Sequence, residues 1–167
     1  MKQMLNSSAR KAKLAQKLAE FRLRSQLKAA HQLLIALDIP LELCKIFLPN
    51  TDVSNHLGQW LHQSFPWQYG QIDWQKLSGS ICESRHDQAA SAFHELCQTQ
   101  QLGNPIVNVV WFAAAHPILE MPLDAVKLSL EAIVAEDWDT WIFDPVAGWC
   151  IEFHHEGTMC YGRVCKI

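Results

Sequence analysis

The sequence predicts an α+β fold, in which a helical N-terminal part precedes a β-α-β-β-β unit that ends in an antiparallel meander. Residues 8–37 are rich in helix-forming residues and contain no Gly or Pro. Residues 106–112 form a nearly continuous apolar, β-branched run, which is typical of a central strand buried on both faces. Residues 138–167 alternate aromatic and β-branched clusters with turn residues. Segregated helices followed by a meander are typical of the α+β class.

The length of 167 residues and a hydrophobic content of 49% predict one domain with a core of its own. Within that domain we expect residues 1–7 to be flexible and residues 8–103 to be mainly helical. Residues 104–167 are expected to form the mixed α/β part with the C-terminal meander. The predicted elements are helices over 8–37, 52–63, 87–101 and 123–134, a short helix or turn over 41–48, a strand over 106–112, a loop between Pro117 and Pro122, and three closing strands.

Cysteine usage indicates the compartment. The six cysteines contain no CxxC pair, so the spacing of zinc ribbons and thioredoxin-like sites is missing. The N-terminus has no apolar segment of the kind that follows the basic residues of a signal peptide, and no apolar run is long enough to span a membrane. We therefore expect reduced, buried thiols in a cytoplasmic protein. The cysteines are Cys44, Cys82, Cys97, Cys150, Cys160 and Cys165.

The charge is distributed unevenly along the chain. Residues 1–45 carry nine Lys or Arg and three acids, a net +6, whereas residues 46–167 carry five Lys or Arg and fourteen acids, a net −9. In a helix, five of the basic residues fall within a sector of about 60°. This basic stripe is either a solvated face or a binding site for an anionic partner such as nucleic acid. It consists of Arg10, Lys13, Lys17, Arg24 and Lys28.

The last hairpin can be paired residue by residue. Glu156 and Gly157 suit a two-residue turn, because Gly tolerates a positive φ. That turn would place Phe153 opposite Cys160 on an apolar core face, and Glu152 opposite Tyr161 on a mixed, partly wet face. The wet face is then the candidate surface for a partner.

The candidate ligands for a metal ion are His154, His155 and Glu156, with Cys160 or His116 as a further ligand. Adjacent residues of a strand point to opposite faces, so the two histidines should not reach one ion. The sequence therefore predicts no metal and no cofactor.

The candidate residues for a thiol enzyme are Cys150 or Cys160 as nucleophile, His154 as base and Glu152 as orienting group. The chain has no local nucleophile signature, and it lacks GxGxxG, P-loop, HExxH and GxSxG motifs. The prediction is a protein without catalytic residues.

The segment 128–162, LSLEAIVAEDWDTWIFDPVAGWCIEFHHEGTMCYG, resembles the C-terminal part of immunity proteins from bacterial contact-dependent growth inhibition and related polymorphic toxin systems. The shared features are a helix containing LEA, a W-D-x-W-x-F-D strand and a G-W-x-I-E-[FY]-x-H-E-G hairpin. The resemblance implies a non-enzymatic protein that binds a cognate toxin domain and occludes its active site. Such toxins are often nucleases.

An acidic body suits this role, since a nuclease presents a positive cleft to phosphates. The alternative function is a nucleic-acid or anionic-surface binding module that uses the basic stripe. The oligomeric state is not predicted. The candidate partner-binding residues are Glu136, Asp137, Asp139, Asp144, Glu152, His154, Glu156 and Tyr161.

Overall fold

A computed structural model describes residues 2–84 and 88–164, with side chains described from residue 10. The described residues form four α-helices and nine strands. The helices are α1 (Lys2–Ala36), α2 (Asp52–Ser64), α3 (Ala89–Thr99) and α4 (Leu123–Ala135). The strands are β1 (Lys45–Phe47), β2 (Trp67–Gln68), β3 (Gln71–Ile72), β4 (Ile81–Ser84), β5 (Ile106–Trp111), β6 (Ile118–Pro122), β7 (Thr140–Asp144), β8 (Trp149–His154) and β9 (Thr158–Arg163).

Seven of these strands form one sheet in the order β1-β6-β5-β7-β8-β9-β4, and each neighbouring pair is antiparallel. Strands β2 and β3 make a separate two-stranded ribbon. The α+β class is confirmed, as is the meander β7-β8-β9. The run predicted as a buried strand is β5, which lies between β6 and β7.

Both faces of the sheet are buried. On one face, the inner residues of β5 to β9 pack against α3, α4 and the C-terminal end of α1. On the other face, Phe143, Cys150 and Cys160 pack with side chains from α2, β3 and the 3-10 turn at Trp74. The C-terminal hairpin therefore has no wet face: β8 contributes buried side chains to both cores.

Helix α1 starts at Lys2, six residues before the predicted start at Ser8. Its C-terminal turns join the core through Ala30 and Leu34, whereas residues 10–29 are exposed along their whole length. At about 1.5 Å per residue, this exposed segment extends roughly 30 Å. We call residues 10–29 the N-terminal arm.

Several strands fall where helix or loop was predicted. Strand β6 occupies the predicted loop between the two prolines, and β1 lies within residues 41–48, where a short helix or turn was predicted. Strands β2, β3 and β4 also lie within the part predicted to be mainly helical. All of these strands have five residues or fewer, which is too short for a period-2 pattern to be distinguished from a loop.

The predicted register of the last hairpin is wrong by one residue. His154 pairs with Thr158, so the loop has three residues rather than two. Gly157 ends this loop at φ +78°, and its N–H donates to the carbonyl oxygen of His154. That geometry fits a type I turn closed by a left-handed glycine. The shift exchanges the faces of β9: Cys160, not Tyr161, lies opposite Glu152.

The expectation of six thiols is also wrong. Cys82 and Cys160 are directly opposite each other in the β4–β9 pair and form a disulfide. This contact was invisible in the sequence because β4 was not predicted as a strand. Cys44, Cys97 and Cys150 are free and buried, and Cys165 lies outside the described residues. The thiol argument for a cytoplasmic location therefore no longer applies to the bonded pair.

Candidate functional site

The eight predicted partner-binding residues separate into two groups. Four have buried side chains and are part of the framework; they are Asp139, Asp144, Glu152 and Tyr161. The other four are partly or fully accessible and lie on the α4–β7 loop or at the end of the β8–β9 hairpin; they are Glu136, Asp137, His154 and Glu156. A rigid partner can contact only the second group.

Glu152 is the polar centre of the core that lies between the sheet and α2, and it is 2% exposed. Its carboxylate accepts hydrogen bonds from Trp141 Nε1 at 2.7 Å, from the backbone N–H of Ile72 at 3.2 Å and from Trp74 Nε1. Burial raises the pKa of the Glu152 carboxyl, and these three N–H donors partly offset the rise. The residue joins β8 to β7, to β3 and to the turn at Trp74, so its role is structural.

Asp144 and Tyr161 also have local roles. Asp144 Oδ1 accepts from the backbone N–H groups of Val146 at 2.8 Å and Ala147 at 3.0 Å, which fixes the turn between β7 and β8. The hydroxyl of Tyr161 accepts a hydrogen bond from Arg163 Nε at 2.5 Å, and its ring lies in the core between the sheet and helices α3 and α4. Both residues hold the meander in shape.

Three of these accessible residues, Glu136, Asp137 and His154, line a pocket of about 740 Å³, which we call the rim pocket. It lies where the end of α4, the α4–β7 loop and the β8–β9 hairpin meet. Its floor is apolar and its edge carries carboxylates and imidazoles. The lining residues are Ala89, Val134, Ala135, Glu136, Asp137, Trp138, Phe153, His154, His155, Gly157, Thr158 and Met159.

The α4–β7 loop is held in place by Asp137. Its Oδ2 accepts from the backbone N–H of Ala113 at 2.6 Å, and its Oδ1 accepts from the backbone N–H of Trp138 at 2.8 Å. Trp138 is 69% exposed, and its ring meets that of His155 edge-on at 5.0 Å. A large aromatic side chain is thus presented to solvent by a fixed backbone.

Trp138 was not among the predicted site residues. The signal was present as a single aromatic within the acidic run Glu136-Asp137-Trp138-Asp139, directly after a helix. The prediction counted it with the apolar residues of the meander, and the strand in fact begins two residues later at Thr140.

The thiol-enzyme hypothesis finds no reactive cysteine among the described residues. Cys160 is in the disulfide, and Cys150 is fully buried with a pKa raised by desolvation. Burial raises the pKa of Cys44 and of Cys97 to about 11. The thiolate is the nucleophilic form, so these sites suit packing rather than catalysis.

A family model described as "CdiI immunity protein EcoliA0-like" matches residues 44–162, which is more than two thirds of the chain. The chain belongs to this family of immunity proteins. The resemblance carried by the terminal strand and hairpin is therefore confirmed, and membership of the family makes the partner a cognate toxin. No curated protein matches the chain.

The family match includes the whole rim pocket and all of the seven-stranded sheet except Arg163, the last residue of β9. Helix α1 precedes it. The five residues of the basic stripe are all exposed on the N-terminal arm, which lies outside the residues that the family model matches. In the parts of the chain that the structure describes, no helix is long and apolar enough to cross a membrane.

Proposed function

We propose that this immunity protein binds its toxin domain through the rim pocket and thereby occludes the toxin's active site. The toxin is a nuclease, and the complex forms in the cytoplasm without catalysis by the immunity protein. The observation that carries the proposal is the exposed Trp138 at the edge of a concave surface lined by acidic side chains.

Trp138 supplies the apolar contact. Tryptophan is enriched among the few residues that dominate binding energy, because it buries a large area at a small cost in conformational entropy. Its backbone is already fixed through Asp137, so little ordering is needed when a partner docks.

The acidic side chains supply the electrostatic contact. Glu136 and Asp137 lie at one edge of the pocket, and Glu156 projects from the opposite hairpin with its side chain 76% exposed. A nuclease cleft must attract phosphates and is therefore positive. Carboxylates placed against that cleft would accelerate association and compete with the nucleic acid for the same surface.

Displacement of the substrate tests occlusion. We expect the immunity protein to release a labelled oligonucleotide from the purified, catalytically inactive toxin domain encoded beside it, with the two ligands competing for one site. Fluorescence anisotropy at several oligonucleotide concentrations measures this. A ternary complex of toxin, oligonucleotide and immunity protein would contradict occlusion and leave binding at a remote site.

A second candidate function is binding of an anionic polymer by the N-terminal arm, which the exposure of all five stripe residues favours. We expect the protein to be retained on heparin at about 0.15 M salt through this stripe. Lys17→Ala with Arg24→Ala should elute at lower salt. Lys11→Ala with Arg22→Ala removes the same charge from another face of α1 and is the matched control. Equal elution of the two variants would argue against a stripe-specific site.

A further inference from the structure

The side chains of Asp139, His154 and His155 converge at the edge of the rim pocket. One ligand atom from each lies within 4.8 Å of the others. We infer that these three residues form a binding site for a divalent transition-metal ion, with Zn²⁺ as the best fit. This inference is independent of the toxin and of the proposed mode of inhibition.

The distances are close to those of a metal site. Asp139 Oδ1 lies 3.0 Å from His155 Nδ1 and 3.9 Å from His154 Nε2. In a tetrahedral zinc site with bonds of about 2.1 Å, neighbouring ligand atoms are roughly 3.4 Å apart. The two observed separations bracket that value, and the ligand atoms of the two imidazoles lie within 4.8 Å of each other.

The loop geometry explains why adjacent histidines converge. His154 is the last residue of β8, but His155 already belongs to the three-residue loop, where strand alternation no longer applies. The backbone N–H of His155 donates to Asp139 Oδ1 at 2.9 Å, which holds the loop against the start of β7. The imidazole centroids are consequently 4.0 Å apart. His154 and His155 were expected to diverge because both were placed within the strand.

The surroundings suit an ion with an open coordination position. The Asp139 side chain is 8% exposed, that of His154 is 17% exposed and that of His155 is 38% exposed. Both histidines line the rim pocket, so water or a donor atom from a partner can supply a fourth ligand. Two imidazoles and one carboxylate form a ligand set that zinc accepts in sites with an open position.

Protons must be redistributed when the ion binds. An ion bound to His155 Nδ1 takes the place of a hydrogen in the 3.0 Å contact with Asp139 Oδ1: that proton is released to solvent, and the neutral ring takes up a proton at Nε2 instead. His154 Nδ1 now accepts a weak bond from the N–H of Glu156 at 3.3 Å. Coordination through Nε2 requires a proton on Nδ1, so the Glu156 N–H loses this acceptor, and the Glu156 carboxylate, now 4.0 Å away, must move closer to accept the Nδ1 hydrogen.

Calorimetric titration of the oxidised, full-length protein with ZnCl₂ tests the site. We expect one equivalent to bind in the micromolar range. His154→Ala and His155→Ala should each weaken binding by about tenfold or more. Asp139→Asn keeps an acceptor for the His155 N–H but removes the charge, and should weaken binding too. His56→Ala and His94→Ala, at exposed helical positions, are the controls and should bind as the wild type does.

A second readout locates the ion. Zn²⁺ should shift the imidazole resonances of His154 and His155 and leave those of His56 and His94 in place. Wild-type affinity in the three site variants would show that the ion binds elsewhere in the chain and would overturn the inference. Failure of the wild-type protein to bind Zn²⁺ below millimolar concentration would also overturn it. Both outcomes leave the toxin-binding proposal untouched, because no toxin is present.

Discussion

Replacing Glu152 with alanine should lower the free energy of unfolding by about 3 kcal/mol or more, because it leaves buried N–H donors without an acceptor. Trp74 Nε1, Trp141 Nε1 and the N–H of Ile72 would all lose the same partner. Each orphaned donor costs about 1–3 kcal/mol, and the cavity adds to the loss. The relief of a buried charge offsets part of this cost. Urea denaturation monitored by tryptophan fluorescence measures the change.

Two further substitutions distinguish the effect of losing the buried hydrogen bonds from the effect of losing a negative charge. Glu152→Gln keeps one acceptor oxygen but turns an NH₂ group toward an N–H donor, so it should fall between the wild type and Glu152→Ala. Glu156→Ala removes the same type of side chain from an exposed position four residues away and should change stability by less than about 0.5 kcal/mol. Equal stability of Glu152→Ala and Glu156→Ala would contradict the structural role of the buried carboxylate.

The second large effect is expected in toxin binding. Trp138→Ala should weaken the complex by about 2 kcal/mol, or roughly thirtyfold in Kd, as an exposed aromatic anchor is lost. Stability should change little, because the side chain is 69% exposed. Calorimetry or surface plasmon resonance with the inactive toxin domain gives the affinity.

Tyr69→Ala is the matched control for Trp138→Ala. Tyr69 is 94% exposed in the turn between β2 and β3, away from the rim pocket. We expect Tyr69→Ala to bind the toxin domain with wild-type affinity and Trp138→Ala to bind it more weakly. Weakened affinity in Tyr69→Ala together with wild-type affinity in Trp138→Ala would instead place the toxin-binding surface on the side of the sheet that carries the β2–β3 ribbon.

The sequence predicted those elements whose patterns are long enough to read. The apolar run of β5 and the helix-forming composition of α1 gave the correct type and approximate bounds. Strands β1 and β4 pair with strands that are distant in sequence, β6 and β9, and no local pattern reveals such neighbours. Strand β6 pairs with the distant β1 and with β5, which immediately precedes it.

The face assigned to Tyr161 depended on a one-residue choice of register. Glu156 and Gly157 fit a two-residue turn, and the same residues fit the end of the three-residue loop that forms. With the shorter loop, Glu152 and Tyr161 appeared on a wet face. In the structure Glu152 is buried by Trp74, which lies 78 residues away in the chain, so its environment could not be inferred locally.

The most direct test of the central claim is protection of growing cells. A strain that expresses the toxin domain encoded next to this chain should stop growing on induction and should grow normally when the wild-type protein is co-expressed. Trp138→Ala at the same intracellular level should protect weakly, whereas Tyr69→Ala should protect fully. Failure of the wild-type protein to restore growth, with both proteins present and folded, would contradict its role as the immunity protein for that toxin.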